Sequence, residues 1–85
     1  MVRDYIEYDE KEYQLSTVLL YDCEFETVVL PIENGVVSGS EVYKFRTFDA
    51  GKSRRKHKDI LDNLENYISK EAIDRYLKKK RRMVQ

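Results

Sequence analysis

The stretch YQLSTVLLYDCEFETVVLPI, residues 13–32, decides the fold. From Tyr13 to Tyr21 the β-branched and apolar side chains Leu15, Thr17, Val18, Leu19 and Leu20 alternate in part with Gln14 and Ser16, which reads as a strand. Asp22-Cys23 is a turn candidate. Glu24 to Ile32 reads as a second strand, with Phe25, Thr27 and Val29 on one face and Glu24 and Glu26 on the other. Pro31 suits a strand terminus or an edge. A three-residue loop at Tyr21-Asp22-Cys23 sets Leu19 opposite Phe25, Thr17 opposite Thr27 and Leu15 opposite Val29. In-facing positions then meet in-facing partners, as register requires when one face is buried.

Moving toward the C-terminus, Asn34-Gly35 is a strong turn signal and Gly39 a second flexible point. Ser40 to Phe48 reads as a third strand, with Tyr43 and Phe45 on one side and Lys44 and Arg46 on the other. With residues 33–39 as the loop, Glu26 faces Arg46, Thr27 faces Phe45 and Val29 faces Tyr43. Apolar groups share one face and opposite charges meet across the other, which predicts an antiparallel meander. Leu20, Val28, Leu30 and Val42 are left as an apolar cluster on the second face. Such a spot on a nominally exposed face predicts a homodimer contact, or cover by the N-terminal arm.

The last third is helical. Thr47 or Asp49 can cap its start, and Asp49 also suits the positive end of the helix dipole. Ile60, Leu61, Leu64, Tyr67 and Ile68 are spaced as one buried stripe, and His57 extends it one turn back. Ser69 is a good cap for a second helix, with Glu71 in its first turn and Ala72, Ile73, Tyr76 and Leu77 on its apolar face. The expected class is therefore α+β, a three-stranded meander covered by a C-terminal helix or helix pair. Residues 1–12 are either a loose arm or a fourth, short strand, 13–48 the meander and 49–84 the helices of a single domain.

The chain of 85 residues is formally neutral, but the charge is split. Residues 1–50 hold 4 basic and 11 acidic residues, a net of −7, and residues 51–85 hold 12 basic and 5 acidic, a net of +7. One reading is that a basic helix covers an acidic sheet; the other is that two poles face different partners. The single cysteine excludes a disulfide framework and a cysteine-rich zinc site. The apolar runs, such as Val28 to Pro31, are too short to span a membrane, and Met1-Val2-Arg3-Asp4-Tyr5 lacks the apolar core of a signal peptide. A cytoplasmic setting is the expectation.

Few motifs carry chemistry. Gly51-Lys52-Ser53 lies between a strand and a helix, as a phosphate loop would, but position 46 is Arg46 where that motif needs glycine. His57 is the lone histidine, and neither Asp59 nor Asp62 shares its helical face. Cys23 follows Asp22, whose charge disfavours a thiolate. No catalytic or metal-ligating set and no cofactor are expected. The basic clusters Lys52, Arg54, Arg55, Lys56, Lys58 and Lys78, Lys79, Lys80, Arg81, Arg82 form a candidate contact surface able to follow a phosphate backbone. Tyr43, Arg46 and His57 form a candidate pocket or interface.

Phe25-Glu26-Thr27-Val28-Val29-Leu30-Pro31, Asn34-Gly35, Glu41-Val42-Tyr43, Arg46-Thr47-Phe48-Asp49-Ala50 and His57-Lys58-Asp59-Ile60-Leu61 follow in that order. This order resembles a family of small bacteriophage and prophage proteins. Those proteins carry a Glu-Thr-x-Val strand, a turn, a strand ending Arg-Thr/Ser-Tyr/Phe, and a helix with an early Ala and a central His. The resemblance covers residues 13–68, with His57 and Glu26-Thr27 as family positions. The family is largely without assigned function, so the resemblance implies origin more than mechanism. The leading expectation is a non-enzymatic accessory protein of phage type, working in the host cytoplasm as a homodimer. It would bind a protein partner, as a host-takeover or anti-defence factor does. The alternatives are a nucleic-acid-binding accessory protein that uses the basic helices, and a ligand-binding oligomer.

Overall fold

A computed structural model describes residues 1–83. In chain order it contains β1 (Val2–Tyr8), β2 (Lys11–Leu19), β3 (Phe25–Glu33), β4 (Val36–Val37), β5 (Tyr43–Thr47), α1 (Ala50–Asp62), α2 (Glu65–Ile68) and α3 (Lys70–Met83). The expected helical span runs to residue 84, and residues 84 and 85 lie outside the described residues. The sheet is antiparallel throughout, with β2 between β1 and β3, and with β4 and β5 sharing the far edge of β3.

The two registers argued from alternation are those observed. Leu19 pairs with Phe25, Thr17 with Thr27 and Leu15 with Val29, while Glu26 pairs with Arg46, Thr27 with Phe45 and Val29 with Tyr43. The first hairpin closes over Tyr21-Asp22-Cys23: the Leu20 N–H donates to the Glu24 carbonyl at 2.8 Å, and Cys23 takes a left-handed φ of 69°. That backbone twist suits a three-residue hairpin loop.

Residues 1–12 are not a loose arm. β1 pairs along its length with β2, Ile6 against Tyr13 and Asp4 against Leu15. The link is a two-residue turn in which Asp9 and Glu10 both have positive φ, 52° and 63°. Glutamate is a poor residue for that conformation, so composition conceals the turn. Asn34-Gly35, with φ of 53° and 78°, is the turn expected from its sequence, and it returns the chain as the short strand β4 inside what read as a loop. The last strand begins at Tyr43 rather than Ser40.

Asp49 is the cap of α1, accepting from the Lys52 N–H at 2.9 Å, while Thr47 accepts from the Asp49 N–H at 3.1 Å. The helix stops at Asn63, so the apolar stripe is not continuous. Ile60 and Ile68 are buried, but Leu61 turns outward. The break at Ser69 is real: its ψ is 158° and its hydroxyl accepts from the Ala72 N–H at 3.2 Å. The buried apolar core is Tyr13, Leu15, Val29, Ile60, Ile68 and Ala72, all between the sheet and the helices. Among the described residues no helix covers the opposite sheet face. Replacing Asp49 with alanine leaves the first turn of α1 uncapped. The midpoint of urea denaturation moves to lower urea.

Candidate functional site

Two arrangements carry polar chemistry. The first lies in the core. His57 Nδ1 is 2.8 Å from Thr17 Oγ1, which is 2.8 Å from Thr27 Oγ1, and His57 Nε2 is 2.7 Å from Asp4 Oδ2. With a neutral imidazole protonated at Nε2, one direction of donation satisfies the chain. Thr27 donates to Thr17, Thr17 donates to Nδ1, and Nε2–H donates to Asp4. A carboxylate, an imidazole and a hydroxyl stand here in the order of a nucleophilic triad. Thr17, however, is only 9% exposed and its hydroxyl both donates and accepts within the chain. The arrangement works as a clamp that ties β1, β2 and β3 to α1. Sequence reasoning sought partners for His57 along its own helix. The partner is Asp4, 53 residues away, the one acid among the inward positions Val2, Asp4, Ile6 and Tyr8. Replacing His57 with alanine strands Thr17 and leaves a void, so stability falls by about 2 kcal/mol or more. Hydrogen exchange in β1 rises with it, because the strand loses its tie to the helix.

The second arrangement is a groove of about 810 Å³ between β5 and the C-terminal helices, lined by Tyr43, Phe45, Tyr67 and Tyr76 with Lys44, Arg46, Arg75, Lys79 and Lys80 around them. Tyr67 meets Tyr43 edge-on with ring centres 5.0 Å apart, and Tyr76 lies tilted against Tyr43 at 5.8 Å. Lys56, half-buried, sits over Phe45 at 4.7 Å and over Tyr67 at 5.4 Å, an attraction of ammonium to ring face. The Tyr67 hydroxyl donates to Asp59, which also accepts from Asn63 at 2.8 Å. Burial and then the Asp59 contact push the Tyr67 hydroxyl up, and the Tyr67 hydrogen bond holds Asp59 below its ordinary range.

Glu41 closes one end of the groove. Its side chain is 10% exposed and accepts from Lys80 at 2.6 Å and from the Tyr76 hydroxyl at 3.0 Å, with Lys44 at 3.9 Å. Burial pushes the carboxyl up. The Lys80 contact, a backbone hydrogen bond, Tyr76 and the Lys44 charge together outweigh burial and hold Glu41 down at about 2. Burial, followed by the hydrogen bond to Glu41, pushes Tyr76 up to about 12. A carboxyl depressed in the fold stabilises it fully above the ordinary glutamate range and stops doing so as pH falls toward about 2. The melting temperature of Glu41→Gln therefore lies below that of the parent at neutral pH, and the gap closes as acid is added across that window.

The structure divides the candidate residues named from sequence. Lys52, Arg54, Arg55 and Lys58 are exposed on α1, with Lys58 3.9 Å from Asp62, whereas Lys56 turns inward. Lys79 and Lys80 line the groove; Lys78, Arg81 and Arg82 are exposed beyond it. Tyr43 and Arg46 share the groove, and His57 does not: it is committed to the core clamp. Val28 and Leu30 do lie on the open sheet face, opposite in-facing Thr27 and Val29, but Leu20 is in the hairpin end beyond β2. Val42 packs against the buried core and borders a cleft with Tyr13, Pro31 and Ile73, so it belongs to the covered side. Val42 precedes β5, and strand alternation does not apply to it.

Charge is also used differently from the simplest reading. Arg46 pairs with Glu26 at 2.6 Å and Glu24 at 3.7 Å, both within the acidic half. Among the described residues, Lys80 is the only lysine or arginine from 51–82 whose side-chain nitrogen lies within 4.0 Å of a carboxylate from 1–50. The basic pole is not cancelled by the sheet. No group of His, Cys, Asp and Glu able to hold a metal ion occurs among the described residues, and no helix there is long and apolar enough to cross a membrane. No protein-family model, curated protein or solved structure matches the chain.

Proposed function

We propose that this is a small binding protein that takes an acidic segment of a partner protein into the groove between β5 and α3. The observation that carries the reading is the condition of the groove's rings. Tyr43, Tyr67 and Tyr76 are engaged with one another and Phe45 with Lys56, so they form a fixed apolar floor rather than free stacking platforms. Around that floor stand Lys44, Arg75, Lys79 and Lys80 with Glu41 as the one carboxylate of the lining, Arg46 being paired already with Glu26 and Glu24. A preformed apolar floor with a surplus of positive charge suits carboxylate side chains carried on an apolar or aromatic backbone segment. The proposed role is the phage-type accessory one expected from residues 13–68, with a host or defence protein as the target class.

The test is fluorescence anisotropy with a labelled peptide of alternating Asp/Glu and aromatic residues. A lysine-rich peptide and a single-stranded oligonucleotide run beside it. The acidic peptide binds, binding weakens with salt, and Arg75→Glu with Lys79→Glu weakens it by about tenfold or more. Lys52→Ala with Arg54→Ala leaves it unchanged. Absence of peptide binding at low salt overturns the reading. Tight oligonucleotide binding that is lost on removing the α1 charges replaces it with the nucleic-acid reading, for which the exposed Lys52, Arg54, Arg55 and Lys58 are the motivating surface.

A further inference from the structure

The N-terminal strand β1 is an edge. It hydrogen-bonds to β2 on one side, and among the described residues no strand pairs with its other side. Natural sheets guard such edges with proline, a lysine, a bulge or a very short strand. β1 is seven residues long, pairs without interruption from Val2 to Tyr8, and contains neither proline nor lysine. Its inward charge, Asp4, is tied to His57 on the helix side, with its side chain 42% exposed.

The backbone of this edge has a defined pattern. The turn Asp9-Glu10 is a two-residue hairpin, so the flanking pair Tyr8 and Lys11 is hydrogen-bonded and hydrogen-bonded pairs alternate from there. Val2, Asp4, Ile6 and Tyr8 direct their N–H and C=O groups at β2. Arg3, Tyr5 and Glu7 direct theirs outward, into solvent. A second antiparallel strand placed against this edge must meet those three residues.

Within Val2-Arg3-Asp4-Tyr5-Ile6-Glu7-Tyr8 the opposite charges Arg3 and Glu7 stand equidistant from Tyr5. Under a two-fold axis at Tyr5, Arg3 lies opposite Glu7 of a second copy, and Glu7 opposite its Arg3. Val2 lies opposite Tyr8 and Asp4 opposite Ile6. The axis falls on a residue whose backbone groups point outward, which is the condition for the central pair to exchange both hydrogen bonds. The Arg3–Glu7 pairs form on the open face of the sheet, where both side chains are exposed. The Val2–Tyr8 pairs form on the helix side. Opposite charges on the open face and the Val2–Tyr8 pairs on the helix side are thus matched in the register that also overlaps the whole strand, while Asp4, held by His57, lies opposite Ile6.

We infer that β1 is the dimerisation edge of this protein: two copies join antiparallel through Val2–Tyr8 about a two-fold axis at Tyr5, making one continuous sheet. This contact differs from the apolar face that pattern alone suggests, and it is independent of the groove. It is an isologous contact, closed by its symmetry, so assembly stops at two.

Sedimentation equilibrium of the full chain tests it. The parent protein shows a mass rising from one chain to two as concentration increases. Glu7→Arg sets arginine against arginine on both sides of the axis and weakens association by about tenfold. Adding Arg3→Glu to it restores the opposite-charge pairs and the association. Tyr5→Pro removes the outward N–H at the axis but no hydrogen bond to β2. It abolishes the dimer while the circular dichroism of the monomer is kept. A single-chain mass up to the concentrations used for NMR overturns the inference. So does a dimer whose strength is unchanged by Glu7→Arg, which remains decisive even if Tyr5→Pro unfolds the chain.

Discussion

The chain of hydrogen bonds from Thr27 through Thr17 and His57 to Asp4 is what the rest of the fold depends on. Each link joins a different element, so three strands and the first helix are held in one relative position by three contacts of 2.7–2.8 Å. Hydrophobic burial supplies most of the driving force for folding, but it is non-directional. The contacts among Tyr13, Leu15, Val29, Ile60 and Ile68 are less directional than the hydrogen bonds of the imidazole. A buried polar network is satisfied in one geometry and costly in others. Here it fixes the axial position of α1 and keeps β1 on the sheet.

From that fixed position the groove follows. With α1 seated by His57, Lys56, the residue before it, is brought over Phe45 and Tyr67. The break at Ser69 then turns α3 so that Tyr76 and Lys80 reach Glu41. Formal neutrality conceals the outcome. The acidic half uses Glu24 and Glu26 on its own Arg46, and Glu41 draws in one lysine of the basic half. Most of the remaining positive charge stays on the surface of α1 and α3.

How much of this was legible follows from which interactions are local. The pairing of β2, β3 and β5 was readable because alternation and the Glu26–Arg46 match both point to the same register. The caps at Asp49 and Ser69 were readable because short polar side chains bind the first turn of their own helix. β1 was obscured by a turn built from Asp9-Glu10, whose residues carry no left-handed preference strong enough to announce it. Periodicity misplaces Val42 because it is carried back before the point where β5 begins, and Leu61 because the stripe is drawn on through the helix end at Asp62. The clamp was invisible for a different reason. Thr17, Thr27 and Asp4 are each ordinary residues in their own strand, and only the packed fold brings them to the one histidine. The groove was half legible: Tyr43 and Arg46 stand out in the sequence, while Tyr67, Tyr76 and Glu41 come from parts of the chain that no local pattern connects.

The separation of Asp4 from His57 also orders events in time. During synthesis β1 leaves the ribosome before β2 and β3, which follow and pair in turn through short loops. Local contacts form early because little chain entropy is lost in closing them. The contact that anchors β1 to the helix cannot form until 53 further residues have emerged. The strand made before its neighbours is therefore tied to the helix only after the sheet itself can form, and throughout that interval it is held by its pairing with β2.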